Sequence, residues 1–268
     1  ARAKATSIRA FPSSRFQFFN SSNFHIFIFM LRKSTEIFLW VTAFGIAMGF
    51  MESAVVVYLR EIYYPEGFTF PLKAIDQPIG TTEFIREAAT IIMLLSIGFI
   101  AGRKPPEKFA YFIYTFAVWD IFYYVFLKVL LGWPESLLTW DILFLIPLTW
   151  VGPVLAPILN SVTMILLASV ILYFSSRREK FTMTFTHWAL LIIGAIITMI
   201  NYMEDYTSYM LERFSFVELF SSSNMQEIME LNSVYIPTNF NWWLYAVGQL
   251  LFLAAVVLII RKNRNAAA

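Results

Sequence analysis

The stretch from Phe116 to Pro157 constrains this chain most, because it sets Asp120 and Lys128 inside an apolar run long enough to cross a bilayer. The triplet Trp119-Asp120-Ile121 then recurs as Trp140-Asp141-Ile142. A charge at the centre of a transmembrane helix costs about 2.5–3.5 kcal/mol on insertion scales, so such residues face a protein interior or a wet cavity. Asp120 is therefore the first candidate for a functional residue. Composition agrees with membrane burial: hydrophobic residues make up 59% and charged residues 14%, against roughly 25% charged in soluble domains. The expected fold is all-α, a polytopic helix bundle with six transmembrane spans and one proline-broken re-entrant or interfacial segment.

Two function classes fall away at once. With no cysteine in 268 residues, disulfides, thiolate metal sites, iron–sulfur clusters and cysteine nucleophiles are excluded. The only histidines, His25 and His187, are expected far apart, which argues against a buried bis-histidine haem or the histidine boxes of membrane di-iron enzymes.

Residues 1–35 carry six basic residues and no acid. They read as a targeting presequence or, preferably, as translated upstream sequence, with Met30 before Leu31-Arg32-Lys33 as a natural bacterial start. Residues 263–268 read as a tail whose Ala266, Ala267 and Ala268 are a cloning remnant. A single membrane domain is expected over 36–262.

Spans are expected over Ile37–Leu59, Glu83–Ala101, Phe109–Leu131, Pro153–Phe174, Phe185–Met203 and Asn241–Ile260, each near the 20 residues that cross a core about 30 Å thick. In the first, Gly45, Gly49 and Ser53 form a small-residue stripe that admits a neighbouring helix. Glu52 lies one position from it, a structural partner for an arginine on another helix. Pro65, Gly67, Pro71, Pro78 and Gly80 mark the following segment as loop. Glu83, Arg86 and Glu87, spaced by three and four, share a helix face. Asp120, Tyr124 and Lys128 form a column about 12 Å long at 1.5 Å per residue, in which Tyr124 or a water bridges the two charges. Pro147, Pro153 and Pro157 break the long run after Leu137, so Trp140–Val151 reads as the re-entrant piece, tolerated at membrane depth only where it is buried or lines a wet cavity.

The segments 1–36, 102–108, 175–181 and 261–268 hold 15 of the 20 basic residues and 3 of the 18 acids. The positive-inside rule puts them, and both termini, in the cytoplasm. Glu52, Glu83, Arg86, Glu87, Lys128 and Asp141 then fall in the outer half of the membrane with Asp120 near its midplane, one expected polar cluster. Glu83 and Glu87 with Asp120 offer the oxygen donors that Mg²⁺ favours, but such pairs are common at helix ends and no metal is assigned. No cofactor is implied.

No nucleophile elbow, zinc-protease helix, phosphate-binding loop or dinucleotide fingerprint is present. Nucleic-acid binding is unsupported, since the basic residues are spread as membrane-side anchors. The run WDIFYYVFLKVLLGWP, then WDILFLIP and Phe240-Asn241-Trp242, resembles a family of uncharacterised bacterial multi-pass membrane proteins, over about Met30 to Ile260. That resemblance implies a bacterial inner-membrane location and supplies no activity. Three readings follow: translocation of protons, ions or a small polar solute; a non-catalytic subunit of a larger membrane complex; and an intramembrane enzyme on a lipid-like substrate, with Asp120 or Glu87 as base. Expected partners are membrane lipid, other membrane subunits, and a basic partner docked on the acidic outer loops.

Overall fold

The computed structural model describes residues 21–73, 75–220 and 225–265. It divides into residues 1–40 and residues 41–268. Residues 1–20 and 266–268, which carry most of the expected extension and the tail alanines, lie outside the described residues.

The described residues form seven α-helices, one hairpin and a 3-10 turn at Glu218–Phe220: α1 Ser21–Tyr63, α2 Gln77–Ala101, α3 Pro105–Leu131, β1 Trp140–Phe144, β2 Trp150–Pro153, α4 Leu155–Arg177, α5 Phe185–Leu211, α6 Met225–Asn232 and α7 Trp242–Asn265. Six of them are long and apolar enough to cross a membrane: Thr35–Tyr63 of α1, α2, α3, α4, α5 and Trp242–Arg264 of α7. The shortest has 23 residues, about 35 Å at 1.5 Å per residue, which exceeds the hydrocarbon thickness.

Helix starts differ from the sequence expectation for one physical reason. Prolines read as breakers sit in first turns, where a missing N–H costs nothing and the fixed φ suits the helix. Pro78 thus opens α2 and Pro105 and Pro106 open α3. The carboxylate of Glu107 completes the α3 start by accepting the backbone N–H groups of Arg103 at 2.9 Å and Lys104 at 3.3 Å. At the other end Gly132 takes φ +68°, and its N–H closes the helix on the Lys128 carbonyl.

The segment read as re-entrant, Trp140–Val151, is an antiparallel hairpin. Trp140 pairs with Pro153, Asp141 with Gly152 and Ile142 with Val151, with an irregularity before Phe144 meets Trp150. A two-stranded hairpin pairs only its inward-facing backbone groups, so its open edges are tolerated at membrane depth only where protein or a wet cavity meets them, as where the Leu145 N–H donates to Glu87. Its ring face packs on the ends of α4, α5 and α7, where Trp140, Leu143 and Trp150 cover Ala156, Tyr202, Phe240 and Tyr245.

Small residues set the closest seam. A Cβ on Gly45 would stand 2.9 Å from Val118 Cγ1, and one on Gly49 would stand 2.9 Å from Phe122 Cβ and 3.0 Å from the Trp119 carbonyl. The Ser53 hydroxyl donates to the Gly49 and Tyr123 carbonyls at 2.8 and 3.0 Å. The stripe read from sequence is therefore the contact of α1 with α3. At the basic end, Lys104 Nζ donates to the Ser175 and Arg178 carbonyls, the Ser175 hydroxyl donates to Glu107, and Arg178 donates to the Asn263 carbonyl. These bonds tie the start of α3 to the ends of α4 and α7.

At the opposite end, Asp205 in the last turns of α5 accepts the Tyr235 hydroxyl at 2.6 Å and the Asn239 N–H at 2.9 Å, fixing the acidic connection that follows α5. Gly49→Val is expected to lower stability by about 1–3 kcal/mol through overpacking, because backbone atoms block the new side chain. Gly80→Ala, with nothing within 4 Å of the added Cβ, is the matched control, and thermal unfolding in detergent reads both.

Candidate functional site

One cavity of about 670 Å³ collects nearly every charged residue of the apolar region. Its wall takes the C-terminal half of the α1 span with the residue after it (Glu52 to Tyr64), the N-terminal half of α2 (Gln77 to Ile91) and the middle of α3 (Phe116 to Tyr124). The connection between α1 and α2 (Phe68, Leu72, Lys73 and Ile75), the hairpin, Pro157 and Asn160 at the start of α4, Tyr202 and Asn232 complete it. The cavity thus occupies the half of the bundle next to the acidic connections. Toward the basic end, Met48, Leu94 and Trp119 pack with Phe44, Ile91, Phe112 and Phe116, and this cluster fills the space between α1, α2 and α3.

Arg86 is the hub of the wall. Its Nη1 donates to Glu52 Oε2 at 2.6 Å, joining α2 to α1, and its Nε donates to Glu83 Oε2 at 2.8 Å on its own helix. Two carboxylates share one guanidinium, so the triad keeps one negative charge when all three are ionised. One turn from Glu83, Glu87 points elsewhere, and its Oε2 accepts the Leu145 backbone N–H at 2.8 Å. That bond anchors the tip of the hairpin to α2. Both Glu83 and Glu87 are buried, 9% and 8% exposed.

Asp120 is partly exposed within the bundle, and its Oδ2 accepts the Ser161 hydroxyl of α4 at 2.7 Å. Asp141, 2% exposed, accepts the Tyr124 hydroxyl at 3.2 Å and faces Arg60 Nη2 at 3.7 Å. Burial pushes its carboxyl up to about 6, against the downward pull of the Arg60 charge and the Tyr124 hydroxyl. Arg60 is itself held by aromatic faces, 3.8 Å from the centre of the Trp133 ring and 4.6 Å from that of Phe68. Cation–π contacts of this kind strengthen where water is displaced.

The structure therefore brings Glu52, Glu83, Arg86, Glu87, Asp120, Tyr124 and Asp141 to one cavity and leaves Lys128 out. Lys128 turns along its own helix to donate to the Gly132 and Pro134 carbonyls at 2.9 and 2.8 Å. There it satisfies orphan carbonyls at a helix C-terminus, where a cation is favoured. The expected Asp120–Tyr124–Lys128 column does not form, since Tyr124 bonds Asp141 instead. Arg60 and Ser161 were not singled out by sequence reasoning. Arg60 carries a usable signal, a cation directly after the apolar run Ile37–Leu59, although the sequence reading ends the span before it.

Five carboxylates thus meet two arginines in the wall, with Lys73 at its rim. Among the described residues, salt bridges join Arg60 to Asp141 and Arg86 to Glu52 and Glu83, so Glu87 and Asp120 have hydrogen bonds but no cationic partner. With its five carboxylates ionised against two arginines and Lys73, the wall carries net negative charge, which attracts a cation. Among the described residues, no group of three His, Asp or Glu side chains is placed to hold a metal ion. The fold and this site define a multi-pass α-helical membrane protein with a carboxylate-rich internal cavity. Comparison with protein-family models, curated proteins and solved structures finds no match to the chain.

Arg86→Met removes the cation from two largely buried carboxylates, a change that costs about 3–5 kcal/mol in buried pairs. The expected result is a large fall in thermal stability, partly restored in the double variant with Glu52→Gln, and detergent-phase unfolding measures both.

Proposed function

We propose that the chain translocates protons or a small cationic solute, taking its cargo into the carboxylate cavity from the acidic side. One observation carries this reading. The two carboxylates without a cationic partner, Glu87 and Asp120, border the same cavity, which stops at the aromatic cluster around Trp119. A vestibule confined to one half of the bundle, with acids at its floor, is the arrangement expected of a translocation path held at one end of its cycle.

By the positive-inside rule the basic connections and both termini are cytoplasmic, and the cavity faces outward. A bacterial inner-membrane location is the reading supported by this charge asymmetry and by the resemblance of the Trp119–Pro134 and Trp140–Pro147 motifs to bacterial multi-pass membrane proteins.

A second reading, an enzyme on a lipid-like substrate, draws on Phe84. This residue is 47% exposed on α2 yet also lines the cavity, so an apolar tail has a route in from the bilayer.

Purified protein reconstituted into acid-loaded vesicles distinguishes the two. Proton efflux above that of empty vesicles, reduced at least tenfold by Asp120→Asn with unfolding unchanged, is the expected outcome. Efflux that Asp120→Asn leaves intact contradicts translocation, and altered lipid in vesicles without such efflux favours the enzyme.

A further inference from the structure

The size and lining of the cavity bear on what kind of cation enters it, and this inference rests on the translocation reading above. A volume of about 670 Å³ lies within the roughly 300–1,000 Å³ range of sites that enclose drug-sized organic ligands. An inorganic ion with its first hydration shell fills only a small part of that space. Metal-like coordination is also missing, since no group of three potential ligands among the described residues converges on a point.

The walls between the charges are apolar and aromatic. Phe68, Phe116, Trp119, Tyr123, Trp150 and Tyr202 all line the cavity. Aromatic faces attract organic cations through the ring quadrupole, most of all where water is excluded. A strongly hydrated inorganic ion gains little there, because it must first shed its water.

Charge points the same way. Glu87 and Asp120 each use one carboxylate oxygen, Oε2 on the Leu145 N–H and Oδ2 on the Ser161 hydroxyl. A carboxylate accepts at about four lone-pair positions, so both retain capacity toward the cavity. The wall holds a further unspent polar group. Tyr202 is 3% exposed, and among the described residues its hydroxyl, which can accept from an ammonium group, has no hydrogen-bond partner.

We infer that the cargo is an amphipathic organic cation, an amine or quaternary centre on an apolar body. The positive centre lies between Asp120 and Glu87, and the body lies against the aromatic wall. Arg86 and Arg60 stay committed to their own carboxylates, and so they repel a second cation without neutralising the two free acids.

The test is equilibrium binding of radiolabelled tetraphenylphosphonium to the purified full chain in mild detergent, beside tetraphenylborate, its isosteric anion. Saturable binding of the cation, at least tenfold tighter than the anion and weakened at least tenfold by Asp120→Asn or Glu87→Gln, is the expected result. Equal uptake of cation and anion means partition into apolar surface and overturns the inference. So does saturable binding that both substitutions leave unchanged. Absent cation binding alongside Asp120-dependent proton efflux overturns the organic-cation assignment and leaves translocation standing. Absence of both overturns the two together.

Discussion

Arg86 holds Glu52 on one helix and Glu83 on its own, and much of the bundle's acidic half follows from that bridge. In hydrocarbon an isolated charge is costly, so α1 and α2 cannot separate there without exposing carboxylates that only this guanidinium pairs. The bridge fixes the two helices across a gap that α3 backs, since Gly45, Gly49 and Ser53 press α1 against α3. What is left between the three helices is the cavity. The hairpin closes its other side, tied to α2 by Glu87 and to α3 by Asp141 through Tyr124.

The same charges serve structure and chemistry unequally. Glu52, Glu83 and Asp141 are matched by arginines, whereas Asp120 and Glu87 rest on single neutral donors. An acid held by one neutral donor and no cation keeps lone pairs free to face a cation. The paired acids hold the walls in place. At the basic end the network of Lys104, Glu107, Ser175 and Arg178 consists mostly of bonds to backbone carbonyls, a fastening that offers nothing to a solute.

The spans were legible in the sequence because length and apolarity suffice to mark them, and all six apolar runs are helical. The gathering of Glu52, Glu83, Arg86, Glu87 and Asp120 was legible too, since few charges fit in hydrocarbon and shared depth restricts where they meet. The hairpin was hidden: Trp140–Pro153 is apolar on both faces, so no period of two separates it from a buried helix. Lys128 misled because helical spacing gives a face but not the path of a long side chain, which here runs to carbonyls beyond Gly132. His187, given no role in the sequence reading, is buried at the start of α5 and caps that helix, accepting the Thr184 N–H at Nδ1.

The central claim, a negative and water-accessible cavity entered from the acidic side, is open to one direct measurement. The chain contains no cysteine, so Asn160→Cys places a single thiol on the cavity wall. Its reaction rate with a cationic and with an anionic methanethiosulfonate of equal size is read in oriented membrane vesicles. Faster modification by the cationic reagent, at least tenfold, and only from the face bearing the acidic connections, is the expected result. Equal rates for the two reagents, or modification from the basic face, contradict it.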